Sequence, residues 1–179
     1  MSHIKVIPVR YTGANKFGDF SYMIKKCRQF DDGLFIFNDN VENQKTASRG
    51  SGNAVIRPYN QYGKHREYPR SAGIPTGSLK SGGFSELDTK TKRAIDNAIN
   101  EIRNLIKTHG YRRVFYSAKA DGSIGSKIFN INPQVVEYVT QSIRDLSHVP
   151  VTPLTIEHKS DEAENLFNCS QFLNFCLFN

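Results

Sequence analysis

A short apolar run that leads directly into three polar residues constrains the fold of this chain more than any other feature. Residues 34–37 read Leu-Phe-Ile-Phe and residues 38–40 read Asn-Asp-Asn. An unbroken apolar run of this length is typical of a strand that is buried on both faces of a sheet. Open α/β sheets bind ligands at the carboxyl ends of such strands, so the polar triplet is a candidate site for a ribose or a base. The alternative is a simple turn, because Asn and Asp side chains often bond nearby backbone.

Two glycine-containing segments each follow a predicted buried strand. Residues 50–54 read Gly-Ser-Gly-Asn-Ala after the first strand, and residues 121–126 read Asp-Gly-Ser-Ile-Gly-Ser after a second strand predicted at 112–117. Glycines let backbone amides approach a phosphate closely. Each segment alone is a weak signal, because Gly-x-Gly is common and the six-residue dinucleotide pattern is missing. Two such loops at one sheet edge predict a site that flanks a diphosphate from both sides.

A third segment, residues 73–77, reads Gly-Ile-Pro-Thr-Gly. It is either a turn or a further wall of the same cleft, to which Thr76 would supply a hydroxyl. Arg57 and Arg70 could pair with a phosphate as forked donors, but we favour the interpretation that they are surface charges.

No nucleophile with a poised base can be identified. Ser51, Ser117 and Ser126 have no histidine nearby in the sequence. Hydrolysis would require Asp121 or one of the residues 38–40 to orient a water beside a ribose carbon.

The hydrophobic pattern predicts strands and helices in alternation. Alternating or continuous apolar residues predict strands at 3–10, 34–37, 71–77, 112–117 and 149–156. The remaining pattern predicts helices at 22–27, 87–109 and 133–146, with a further helix at 53–57 that Pro58 would stop. We therefore expect an α/β fold, three-layer α/β/α with a mixed central sheet.

The length and composition fit one domain. A chain of 179 residues with 38% hydrophobic residues can bury a sizeable core. We expect a single domain over 1–179, with a core at about 34–146 and a C-terminal tail at 150–179 docked on it. No apolar stretch reaches the roughly 20 residues that span a bilayer, and the N-terminus lacks the apolar centre of a signal peptide. We therefore expect a cytoplasmic protein with no membrane partner.

The charge indicates an anionic partner. The net charge is +7 and the pI is near 9.4. The partner is either nucleic acid or a small anionic ligand such as a dinucleotide, and the dispersal of the basic residues favours the small ligand. The three cysteines have no C-x-x-C spacing and the five histidines are scattered, so we expect no metal and no cofactor.

Four segments together resemble an uncharacterised family found in tailed phages and bacteria. Its members are similar to macrodomains, the α/β/α modules that bind ADP-ribose. The segments are residues 34–40, 50–54, 73–76 and 124–129. The resemblance covers roughly residues 34–146 and leaves the first thirty residues and the tail without a counterpart.

The resemblance implies a macrodomain-like fold with a role for each loop. In macrodomains an asparagine-rich strand end is followed by a glycine loop that cradles the distal ribose, and a later glycine loop wraps the diphosphate. This chain departs from the pattern at Ser51, within the usual run of three glycines, and at Lys127, which replaces a small residue. These departures bear on hydrolysis more than on binding.

Pattern and resemblance together give the expected site. The catalytic positions are Asn38, Asp39 and Asn40. The ligand-binding positions are Gly50, Ser51, Gly52, Asn53, Thr76, Asp121, Gly122, Ile124, Gly125, Ser126 and Phe129.

The function that we expect is binding of ADP-ribose or a related NAD-derived nucleotide. Such a protein either removes ADP-ribose from a target, as an ADP-ribosyl hydrolase, or sequesters a nucleotide signal. Encoded by a phage, it would work in the host cell cytoplasm and counter a host defence that uses NAD chemistry. The alternative is a non-enzymatic inhibitor that binds a host defence protein or nucleic acid, through the basic surface, residues 59–70 and the apolar tail at 166–178.

Overall fold

The computed structural model describes residues 2–64, 68–126 and 129–151 of the chain. Five strands form one mixed sheet, so the fold is α/β as predicted. The elements in chain order are β1 (Lys5–Val9), α1 (Phe20–Lys26), β2 (Gly33–Asn40), a 3-10 helix (Gly52–Tyr59), β3 (Ser71–Ser78), β4 (Gly82–Gly83), α2 (Thr89–His109), β5 (Arg113–Ser117) and α3 (Pro133–Arg144), with short 3-10 turns at Arg28–Phe30 and Asp145–His148.

The strand order β1-β5-β2-β3-β4 places β5 between β1 and β2, although β5 is the last of these five strands along the chain. The strands β1, β5, β2 and β3 run parallel, and β4 is antiparallel to β3. Because the four longer strands run in the same direction, their carboxyl ends lie at one edge of the sheet. Each segment that leaves a parallel strand therefore begins at this edge.

Hydrophobic clusters on both faces of the sheet explain the continuous apolar run of β2. Leu34 and Ile36 belong to a cluster that includes the apolar sides of α2 and α3. Phe35 and Phe37 alternate with them and belong to a second cluster, with α1 and the 3-10 helix. All four residues are at most 3% exposed. The prediction of a strand buried on both faces is confirmed.

Local sequence sets the two ends of α2. The Asp88 carboxylate accepts a hydrogen bond from the Thr91 amide at 2.7 Å, which caps the first turn. Gly110 ends the helix with a φ of 70°, a left-handed conformation that glycine adopts without steric cost. The buried stripe of the helix comprises Ile95, Ala98, Ile99, Ile102, Leu105 and Ile106.

Two element predictions are wrong at a boundary. The polar triplet does not follow the strand but belongs to it, because β2 continues to Asn40 alongside β3. Pro58 does not stop the following helix, which continues to Tyr59. A proline this close to the end of a helix removes only one backbone donor, so the last turn still forms.

The other predicted elements lie where the pattern places them, apart from the end of the chain, whereas the short strand β4 was not predicted. Within the strand predicted at 149–156, the described residues form an isolated bridge between His3 and Pro150. The rest of that strand and the tail from residue 152 onward lie outside the described residues, so the single domain over 1–179 stays a prediction. No helix in the described ranges is long and apolar enough to cross a bilayer.

Thr76 carries a hydroxyl that the fold leaves without a partner. The residue lies in β3 with 0% exposure, and among the described residues its Oγ1 has no hydrogen-bond partner. Thr140 of α3 is also buried, at 4% exposure, but its hydroxyl has partners. Its hydroxyl donates to the carbonyl of Val136 at 2.7 Å and accepts from the amide of Ile124 at 3.1 Å.

We expect Thr76→Val to leave the free energy of unfolding unchanged or to raise it by about 1 kcal/mol, because valine has a similar shape and no unpaired hydroxyl. The matched variant Thr140→Val should lower it by about 1–3 kcal/mol, because the Ile124 amide loses its acceptor. Urea denaturation measures both changes. An equal loss at the two positions would mean that Thr76 has a partner, such as a bound water.

Candidate functional site

A cleft of about 1240 Å³ opens at the carboxyl edge of the sheet. Its walls come from the exits of β1, β2 and β5 and from the loop before the 3-10 helix. Most of the predicted site residues line it, namely Asn38, Asp39, Asn40, Gly50, Ser51, Gly52, Asn53, Gly125, Ser126 and Phe129. The polar strand end and both glycine loops therefore share one cavity.

One carbonyl oxygen joins the three polar segments. The side-chain nitrogen of Asn38 donates to the carbonyl of Gly125 at 2.5 Å, and that of Asn53 donates to the same oxygen at 3.1 Å. The Gly125 amide donates in turn to the carbonyl of Ser117, at the end of β5, at 2.9 Å. These bonds fix the late glycine loop against β2, β5 and the 3-10 helix.

Asn40 holds the turn that leaves β2. Its side-chain oxygen accepts hydrogen bonds from the backbone and side-chain nitrogens of Asn43, at 3.1 and 2.9 Å. The residue is only 6% exposed but lines the cleft. Its side-chain nitrogen has no acceptor among the described residues, so it can donate to a ligand.

Asp39 is committed to a buried ion pair with Arg57. Arg57 Nε lies 3.1 and 3.3 Å from the two carboxylate oxygens, and Arg57 Nη1 donates to the carbonyl of Ser48 at 2.9 Å. The side chains of Asp39 and Arg57 are 1% and 3% exposed. A carboxylate held in this way is neutralised and positioned, which favours a structural role for Asp39 over a direct one.

The interpretation of Arg57 and Arg70 as surface charges is wrong. Arg70 is 0% exposed, pairs with Asp31 at 2.9 Å and donates to the carbonyls of Phe30 and Gly33. Each guanidinium is buried because backbone carbonyls and a carboxylate satisfy its donors.

Gly50 and Gly52 have structural reasons to be glycine. A Cβ at Gly50 would lie 2.7 Å from the Cβ of Ala54, and Gly52 has a φ of 55° in the left-handed region. Ser51 gives the 3-10 helix no side-chain cap, and in the part of the chain that is described the amides of Gly52 and Asn53 have no backbone acceptor. These first-turn amides can bind an anion.

Four predicted ligand contacts lie outside the cleft lining. Thr76 and Ile124 are buried in the protein interior, at 0% and 2% exposure. The Asp121 carboxylate accepts hydrogen bonds from the hydroxyl and amide of Ser123, at 2.6 and 2.9 Å, which lower its pKa. Gly122 forms the turn beside it with a φ of 81°. None of the residues 73–77 lines the cleft either, so this segment does not form its third wall.

The wall from the β1 exit was not predicted. Arg10, Tyr11, Asp19 and Phe20 line the cleft although they precede the part covered by the resemblance. The pairing of Val9 with Ser117 brings this exit beside that of β5. The signal in the sequence is the polar pair Arg10-Tyr11 at the end of the predicted strand 3–10. It becomes informative once β1 is known to be parallel to β5.

Exposed cations occupy three walls of the cleft. Arg10 follows β1, Lys119 follows β5, and Arg49 lies in the loop before Gly50. Within the described ranges none of the three forms an ion pair. Asp19 also lines the cleft, but its carboxylate accepts from the amides of Asn15 and Tyr22 at 2.9 and 3.3 Å. The positive charges are therefore available to an anionic ligand.

Two positions of the implied family motif, Lys127 and Ile128, lie outside the described residues. Within the described part, no three His, Cys, Asp or Glu side chains come together in a way that could hold a metal ion.

We expect Asp39→Ala to lower the free energy of unfolding by about 3–5 kcal/mol, because it leaves the buried Arg57 guanidinium without its counter-charge. Asp32→Ala is the matched control. Asp32 also pairs with an arginine, Arg113, but that pair is 13% and 24% exposed, so water can replace the carboxylate. Urea denaturation of both variants tests the difference, and an equal cost for the two would contradict the dominant role of the Asp39 pair.

Comparison with known proteins identifies no relative. No protein-family model, curated protein or solved structure matches the chain.

Proposed function

We propose that the cleft binds ADP-ribose or a related NAD-derived nucleotide. The observation that carries the proposal is the carbonyl of Gly125, which is bound by both Asn38 and Asn53. This arrangement gathers the polar strand end and two glycine loops around one cavity. It is the convergence that the resemblance to ADP-ribose-binding modules implies.

The charge and the donors of the cleft support an anionic sugar-phosphate as the ligand. Arg10, Arg49 and Lys119 supply positive charge from three walls of the cleft. The cleft also presents hydrogen-bond donors, namely the first-turn amides of Gly52 and Asn53 and the side-chain nitrogen of Asn40. The oxygens of a diphosphate or of a ribose hydroxyl can accept from them. A ligand with two phosphates uses both the cations and the hydrogen-bond donors.

We also propose that the fold is a three-layer α/β/α arrangement of the macrodomain type. Support comes from the two hydrophobic clusters, one with α2 and α3 and the other with α1 and the 3-10 helix. These clusters pack on opposite faces of the central strand β2.

Binding is better supported than hydrolysis. A hydrolase needs a base that can orient or deprotonate a water. The Asp39 carboxylate is paired with Arg57, the Asp19 carboxylate caps α1, and Asp121 lies outside the lining. We therefore propose that the protein sequesters a nucleotide, and that a phage-encoded copy counters a host defence based on NAD chemistry.

Isothermal titration with ADP-ribose, NAD and cyclic ADP-ribose isomers tests the proposal, and we expect saturable binding of at least one of them. Gly125→Ala should weaken that binding by about tenfold, because a methyl group narrows the cleft between the late loop and the β5 exit. The fold should tolerate the change, since the nearest heavy atoms to the new Cβ lie at 3.6 Å.

Ser123→Ala is the control, because Ser123 lies in the same loop but outside the cleft lining. It should bind like the wild type. Absence of heat with every ligand at millimolar concentration contradicts the proposed function. Loss of binding in Ser123→Ala as large as in Gly125→Ala would mean that the loop, and not the cleft, is being perturbed.

A further inference from the structure

The cleft is larger than one small ligand requires. Pockets for small molecules usually enclose about 300–1,000 Å³, whereas this cleft encloses about 1240 Å³. The unpredicted β1 exit contributes the additional wall. It presents a cation, Arg10, next to an aromatic ring, Tyr11, that is 53% exposed.

Two residues that line this cleft carry aromatic rings and lie beside the two edge strands of the sheet. Tyr11 follows β1, which is the first strand in the sheet order. Phe129 lies at the other end of the order, because a Cβ on Gly83 of β4 would approach the Cβ of Phe129 to 3.1 Å. Four strand spacings of about 4.8 Å separate β1 from β4, or roughly 19 Å. Stacked rings lie about 4.5–7 Å apart, which is much less than the separation of the two strands beside which these residues lie.

The groups that suit phosphate lie between the two rings. Asn40, whose side-chain nitrogen can donate, lies at the exit of β2, and Lys119 lies at the exit of β5. Both strands stand between β1 and β4 in the sheet. Along the sheet edge these groups therefore follow the order aromatic ring, cation and hydrogen-bond donor, aromatic ring. A molecule with a base at each end and phosphates in the middle matches this order.

The β1 exit is held in a defined position. Gly18, with a φ of 96°, packs its backbone against the carbonyl of Arg10, and the Ala118 amide donates to the carbonyl of Val9 at 2.9 Å. Lys119 lies near Asp121, whose pKa is lowered mainly by the hydrogen bonds from Ser123, and it makes no ion pair with a described carboxylate. Its charge therefore remains available to the cleft.

We propose that Tyr11, with Arg10 beside it, forms a second base subsite, and that the cleft binds a dinucleotide with one base on Tyr11 and the other on Phe129. This inference rests on the proposed function, because the phosphates of the dinucleotide occupy the same centre. It adds that the ligand carries a second base. Base stacking on an exposed ring is sequence-tolerant, so the subsite selects for a base and not for its identity.

The test compares two ligands that differ by one base. Diadenosine diphosphate is ADP-ribose with a second adenine on the terminal ribose. We expect the wild-type protein to bind it roughly tenfold more tightly than ADP-ribose, the factor that one base–aromatic stack contributes. Tyr11→Ala should remove this preference and leave the affinity for ADP-ribose within about twofold.

Two control variants test whether the loss of preference in Tyr11→Ala is specific to the aromatic ring at this position. Tyr11→Phe keeps the ring and should retain the preference. Tyr62→Ala removes a tyrosine of similar exposure, 39%, that does not line the cleft, and it should also retain the preference.

The outcomes separate the two proposals. Equal affinities for the two ligands in the wild type, or a preference that survives Tyr11→Ala, overturn the second subsite and leave the proposed function intact. No heat with either ligand overturns both. Tighter binding of a single-stranded oligodeoxyadenylate than of the dinucleotide overturns the second subsite in favour of a nucleic-acid groove.

Discussion

The buried pair of Asp39 and Arg57 is the constraint on which the cleft depends. It ties the last residues of β2 to the 3-10 helix, and through the carbonyl of Ser48 it also ties the loop that precedes Gly50. Either charge alone would be costly at this depth, so the two side chains are held in one arrangement. The loop is thereby positioned before a ligand arrives, which lowers the entropy that binding must offset.

The fold could be predicted where the signal is local. The apolar run of β2, the stripe of α2 and the capping residues Asp88 and Gly110 define their elements through neighbours in the chain. The partners of buried charges could not be predicted in this way. Arg57 meets Asp39 only after the chain has folded back over β2, and nothing in the surrounding sequence distinguishes it from a surface arginine.

The site was predictable only in part, for reasons of topology. Strand ends and glycine loops converge because parallel strands present their carboxyl ends at one edge. The sequence does not reveal that β5 inserts between β1 and β2, and this insertion makes the β1 exit a wall of the cleft. Membership of a motif also does not tell whether a side chain faces the cleft or the protein interior. Thr76 and Ile124 belong to the expected motifs, yet both residues are buried away from the cleft lining.

The same hydrogen bonds that build the cleft restrict what it can do. Asn38 and Asn53 use their side-chain nitrogens on the Gly125 carbonyl, and their oxygens stay available as acceptors for ribose hydroxyls. Asp39 is neutralised by Arg57, so the cleft offers cations, amide donors and neutral acceptors in place of a free carboxylate. Such a set stabilises a bound anion but provides no strong base to activate water. The proposed role, to retain a nucleotide and not to cleave it, is therefore the one that suits this distribution of hydrogen bonds.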